Sequence, residues 1–145
     1  MFDQENKAII RRGFEEIFNQ GKLDAVSEFF TPDFVSHDPA LPEDLHGPEE
    51  FKQFAAMYRN AFPDLHITIE DQFAKGDKVV TRFTSRGTHQ GDFEGIAATG
   101  RRIAVEGISI DRMVDGKSAE AWTIVDTMGM MQQLGVIPSP EQARA

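Results

Sequence analysis

The sequence predicts an α+β domain in which helices come first and a curled antiparallel sheet second. Three observations carry this. Apolar residues recur at helical spacing as far as Phe62, the period changes to two after Pro63, and turn signals at Lys75-Gly76-Asp77-Lys78 and Asp115-Gly116 split the second half into two hairpins.

Taken in order, Asp3 to Gln20 places Ile10, Phe14, Ile17 and Phe18 on one helical face, and Gly21 stands where a C′ glycine belongs. Leu23, Val26, Phe29 and Phe30 continue the pattern through a short second helix, which Thr31-Pro32 ends because proline cannot extend the hydrogen-bond ladder. Phe34-Val35 then suits a brief strand. After the loop from Asp38 to Gly47, Pro48 sits at a tolerated first-turn position, and Phe51, Phe54, Ala55, Tyr58 and Phe62 line one face of a third helix that stops at Pro63. Beyond it Ile67, Ile69, Asp71 and Phe73 alternate with Thr68, Glu70 and Gln72. The returning strand runs Val79 to Thr88, and Arg102 to Val114 with Ser118 to Val125 forms the second hairpin. These four strands make an antiparallel meander on which the three N-terminal helices pack, and a sheet that curls around helices can enclose a cavity that the phenylalanines and methionines would line. A single domain over 1–138 and a loose tail over 139–145, with Pro138 just before it and Pro140 within it, complete the expected organisation.

Composition narrows the chemistry. The 145 residues are enough for one core, and twelve phenylalanines against one Trp and one Tyr are a globular composition. Without cysteine there is no disulfide framework, zinc-thiolate site or thiol nucleophile. The net charge of -9 is concentrated in residues 1–50, with 4 basic and 12 acidic groups, and no basic stripe exists to meet nucleic acid or an anionic membrane. No run approaches the ~18 apolar residues of a membrane helix, so a cytoplasmic protein is the expectation. The four histidines show no metal-ligand spacing, and no GxGxxG, P-loop or GxSxG motif points to a nucleotide cofactor or a serine nucleophile.

The polar residues left for chemistry are few. The last strand sets Glu120, Trp122, Ile124 and Asp126 on one face and Ala119, Ala121, Thr123 and Val125 on the other. If the bulkier face looks inward, Asp126 becomes a desolvated acid/base group and Trp122 an aromatic wall. Asp126 equally suits the N-cap of a helix from Met128 to Leu134, and Trp122 equally suits core filling. His37 begins a loop where a side chain can enter a cavity mouth and pair with a carboxylate. Arg82 could steady an enolate oxygen or face water, and Asp71, sharing a strand face with isoleucines, could pair with it across the first hairpin. The expected site is therefore Asp126, His37 and Arg82 as catalytic groups, with Trp122, Phe54, Tyr58, Asp71, His89 and Glu120 in contact with substrate and no metal.

Four stretches carry a family resemblance across nearly the whole chain: Phe34-Val35-Ser36-His37, Ala61-Phe62-Pro63-Asp64-Leu65, Arg86 to Ile96, and Asp115-Gly116-Lys117 through Trp122 and Asp126 to Leu134-Gly135. In these the sequence resembles the SnoaL-like polyketide cyclases (ester cyclases) of the nuclear transport factor two-like superfamily. The resemblance implies an α+β cone with a deep apolar pocket, a homodimer through the open sheet face, and no cofactor. It implies a cyclase or isomerase in which a late Asp takes a carbon-bound proton from a hydrophobic, enolisable carbonyl compound and an aldol addition closes a ring. The W-x-x-x-D segment maps to Trp122 and Asp126, and the strand-end His to His37. Two positions depart from the pattern: Ala98-Thr99-Gly100 where relatives often have Pro-Thr-Gly, and Thr123 where some cyclases carry an acid. The same cone also hosts ketosteroid-isomerase-like, dehydratase and epoxide-opening enzymes and non-catalytic binding or dimerisation modules, so these remain alternatives.

Overall fold

The computed structural model describes residues 2–141, and most of the tail expected over 139–145 falls outside them. Six strands, β1 (Phe30–His37), β2 (Leu45–His46), β3 (His66–Lys75), β4 (Lys78–Thr88), β5 (Arg102–Val114) and β6 (Lys117–Val125), form one sheet in the order β2-β1-β6-β5-β4-β3. The sheet is curved and unclosed. Its concave face is covered by α1 (Phe2–Gly13), α2 (Val26–Phe29), α3 (Gly47–Ala61) and α4 (Thr127–Gln133). No helix among the described residues is long and apolar enough to cross a membrane.

The expected meander is present as β3-β4-β5-β6, all antiparallel. Its second turn works because Asp115 and Gly116 both take positive φ, 49° and 78°, the backbone twist that a two-residue hairpin requires. Two features differ from the expectation. The first helix is α-helical only to Gly13 and widens into a π-helical stretch over Phe14–Asn19. The expected two-residue strand at Phe34-Val35 is the eight-residue β1, which lies parallel to β6 with Ser36 opposite Ala121 and His37 opposite Trp122. A pairing across more than eighty residues leaves no local trace in the sequence.

Two bulges set which residues face inward. In β3 the register with β4 shifts between Ile69 and Asp71, so the alternation that begins with Ile67 buried ends with Asp71 and Phe73 outside. In β6 a shift at Ala119 leaves Ser118 and Ala121 both buried and turns Trp122 and Ile124 outward. Strand β5, by contrast, alternates cleanly: Ile103, Val105, Gly107, Ser109, Asp111 and Met113 point in, and the intervening residues point out.

The core is aromatic. Phe34, Phe62 and Phe93 are wholly buried, each worth roughly 1.5–3 kcal/mol by transfer. Phe62 and Phe93 pack with Tyr58 under α4, while Phe34 stacks with Phe30 and Phe51 beneath α2 and α3. Between these two clusters the concave face is not filled.

Candidate active site

That gap is a cavity of about 130 Å³, counted as the space a water molecule's centre can occupy. At about 30 Å³ per water in the liquid it has room for roughly four. Phe14, Phe18, Phe51, Phe54 and Tyr58 close it from the helices, and Phe83, Ile103, Val105 and Ala121 close it from the sheet. The few polar groups come from sheet positions Ser36, Ser85, Ser109, Asp111 and Thr123, with Tyr58 and Asp38 from the helix and loop side. Among the described residues no Lys, Arg or His lines it.

Asp111 is the chemical centre of this cavity. It is 6% exposed, and burial pushes its carboxyl up from 3.8 to about 6, offset in part by the hydroxyl of Ser118, which donates to Oδ2 at 2.8 Å. A carboxyl in that condition exchanges a proton near neutral pH, as a general acid/base must. Asp38, at the mouth, also has its carboxyl raised by burial, although it accepts the Ala40 N–H at 2.9 Å. Burial likewise raises the phenol of Tyr58 and keeps it neutral.

Of the expected substrate contacts, Phe54 and Tyr58 line the cavity, as their helical face requires. The other expected site residues do not, and the reason is one of phase. The inward face of β6 is Ala121, Thr123 and Val125, so Trp122, Glu120 and Asp126 project away from the cavity. Asp126 instead caps α4, accepting the Gly129 N–H at 2.9 Å. Gly129 is needed there, because a Cβ at that position would lie 2.2 Å from Asp126 Oδ2.

His37 also belongs to the convex face. Its Nε2 is 2.7 Å from Glu120 and its Nδ1 is 3.0 Å from Asp44, with the ring stacked on Trp122 at 5.6 Å. Hydrogen bonding to Glu120, helped by Asp44, raises its pKa, and the same contact lowers that of Glu120, which Arg112 also approaches at 3.4 Å. Arg82 is exposed and lies 3.8 Å from Glu106. Asp71 is Arg82's register partner on β3, yet its carboxylate accepts the Gln72 N–H at 2.9 Å instead. His89 is fully buried but outside the cavity: Nδ1 accepts the Thr99 N–H at 3.2 Å and lies 3.0 Å from Thr99 Oγ1, which fastens the loop between β4 and β5. Among the described residues no group of three or more His, Asp or Glu is placed to hold a metal ion.

Asp111 lies on β5, one strand before the β6 residues expected to carry the acid. The signal was available in the uninterrupted alternation of Arg102 to Val114, where the acid falls in phase with Ile103, Val105 and Met113.

The description of SnoaL-like polyketide cyclases matches residues 8–134. The chain belongs to that family. Its relatives include the aklanonic acid methyl ester cyclase DnrD of Streptomyces peucetius, 34% identical over 140 residues, covering 92% of this chain and 93% of the relative. The nogalonic acid methyl ester cyclase of Streptomyces nogalater is 32% identical over 124 residues, 81% of this chain and 89% of its own. Among solved structures, a SnoaL-like polyketide cyclase from Jannaschia superposes with a TM-score of 0.85 at 25% identity, covering 94% of this chain and 95% of that one. IdmH of Streptomyces antibioticus gives 0.78 at 34%, over 90% and 98%. With these cyclases as its relatives, the chain falls among the SnoaL-like cyclases and isomerases.

Proposed function

We propose that the protein is a cofactor-independent cyclase that closes a ring by intramolecular aldol addition in a hydrophobic, enolisable ester, with Asp111 as its acid/base group. The observation that carries this is the deeply buried Asp111 carboxyl, poised near pH 6, on the floor of an apolar cavity. In the ionised form Asp111 takes a proton from a carbon flanked by carbonyls, and the electron pair left behind delocalises onto oxygen. The nucleophilic carbon forms a C–C bond to a second carbonyl carbon, whose π pair moves to its own oxygen. That oxygen takes the proton back from Asp111, so the product is an isomer of the substrate and no oxidant or reductant is consumed. The apolar walls fold the chain so that both carbons meet, the entropic part of catalysis.

Two carboxyls and no cation among the described residues of the lining disfavour a free acid and suit a neutral ester, in keeping with the methyl esters in the names of the relatives. The partners implied are one small apolar molecule inside and a second copy of the chain against the convex face. The test is turnover of aklanonic or nogalonic acid methyl ester by the wild type and Asp111→Asn. Loss of about 10²–10⁴-fold in kcat is expected. Unchanged turnover in the variant would remove Asp111 from the reaction, and no turnover of either ester by the wild type would shift the reading toward another substrate or a binding module.

A further inference from the structure

Among the described residues three buried side-chain atoms have no hydrogen-bond partner: Gln72 Oε1, His89 Nε2 and Ser109 Oγ. Only Ser109 lines the cavity. It is 4% exposed, and it lies two residues before Asp111 on the inner face of β5, about 7 Å along the strand. Its register neighbour on β6, Thr123, lines the cavity as well. A buried hydroxyl left without a partner is costly unless something that comes and goes supplies one.

The two inner-face residues divide the work. Asp111 already has a hydroxyl directed at it from Ser118, and as an anion it can only accept. Ser109 has an O–H with no acceptor, in largely apolar surroundings where a hydrogen bond is strong. Resting on the acid/base reading above, we propose that Ser109 is a further catalytic residue, whose hydroxyl donates to the carbonyl oxygen of the substrate as Asp111 removes the neighbouring proton. The hydrogen stays on Ser109 throughout. Its bond strengthens as charge gathers on the oxygen, which stabilises the enolate relative to the ketone. The predicted ligand pattern is an apolar body with one acceptor oxygen near its acidic carbon.

The test is a binding comparison that needs no knowledge of the true substrate. The probes are 2-acetylnaphthalene, whose ketone oxygen can only accept, and 2-isopropylnaphthalene, its hydrocarbon counterpart. At pH 8 Asp111 has no hydrogen to offer, so any hydrogen bond to the ketone comes from another group. Ser109→Ala is expected to weaken the ketone about tenfold while changing the hydrocarbon less than twofold. Ser109→Thr, which keeps a hydroxyl, should retain the affinity for the ketone. Equal affinity of Ser109→Ala and wild type for the ketone would overturn the assignment, leaving another lining hydroxyl (Ser36, Tyr58, Ser85 or Thr123) or a bound water as the donor. Loss of the hydrocarbon as well, in both variants, would also overturn it by showing a packing role. Failure of the wild type to bind either probe would reject the cavity as a ligand site, and this proposal with it. A fully active Asp111→Asn enzyme, by contrast, would remove only the base, because the binding ratio at Ser109 is read without turnover.

Discussion

Ionising Asp111 places a negative charge beside aromatic and aliphatic walls with the Ser118 hydroxyl as compensation. The native state therefore holds this proton more tightly than the unfolded chain, whose carboxyl titrates near 3.8. Stability falls as pH rises from about 4 to about 6 and is flat beyond. Asp111→Asn should match wild type below pH 4 and exceed it by up to about 3 kcal/mol above pH 6, as read by urea denaturation at the two pH values. The same substitution abolishes the base, so a gain in stability accompanies the loss of turnover. For the wild type, kcat/KM should climb through a limb centred near pH 6, because only the anion accepts a proton. A pH-independent rate between 4.5 and 7.5 would argue against this carboxyl as the base. The residue was legible in principle from alternation in β5. Its altered affinity for a proton was not, since that depends on walls contributed by helices about fifty to a hundred residues away.

At the scale of the element, α4 shows how a motif can be correct and its role different. Asp126 and Gly129 form a matched pair: the carboxylate caps the helix, and the absent side chain gives it room. Asp126→Ala should cost about 1 kcal/mol. Gly129→Ala should cost a similar amount in the wild-type background by pushing the carboxylate off its N–H, yet be neutral or stabilising by up to about 1 kcal/mol in Asp126→Ala, where only helix propensity remains. Thermal unfolding of the four proteins in that cycle measures the coupling, and additive effects would refute it. The cap was readable from Asp126 and Thr127 standing before an apolar helical run. Which face of β6 looks inward was not readable, because period-two alternation distinguishes two faces without saying which meets the core.

For the whole molecule, the order of elements and the four-stranded meander follow from period and turn residues. The parallel joining of β1 to β6 and the short β2 do not, since they depend on contacts made only after collapse. The convex side of the meander strands leaves Phe73, Ile108, Trp122 and Ile124 exposed, at 59%, 48%, 38% and 66%. A surface this apolar suits association with a second copy. Ile124→Asp with Ile108→Lys should convert a dimer measured by light scattering into a monomer, and a wild type that is already monomeric at micromolar concentration would reject the association. Beside this surface His37 bridges Glu120 and the loop residue Asp44. Because its pKa is raised, the stability it contributes is full below its ordinary value of 6.5 and fades as pH climbs through the native value. His37→Ala should thus be more damaging at pH 5.5 than at pH 8.5 in a denaturant titration.

The bulge at Ala119 joins the two halves of this arrangement. It sits upstream of every β6 side chain that meets either the ligand space or the convex surface, so those side chains stay in phase with Ser118 through one surplus residue. Excising Ala119 would leave Ser118 opposite Met113 and Glu120 opposite Arg112 in an unbroken alternation, so Thr123 and Val125 would keep the interior face and Trp122 and Ile124 the solvent face. Ligand chemistry and surface chemistry are thus interleaved like two messages in one text, and the surplus letter at Ala119 keeps Ser118 before it and Ala121 after it in the same frame.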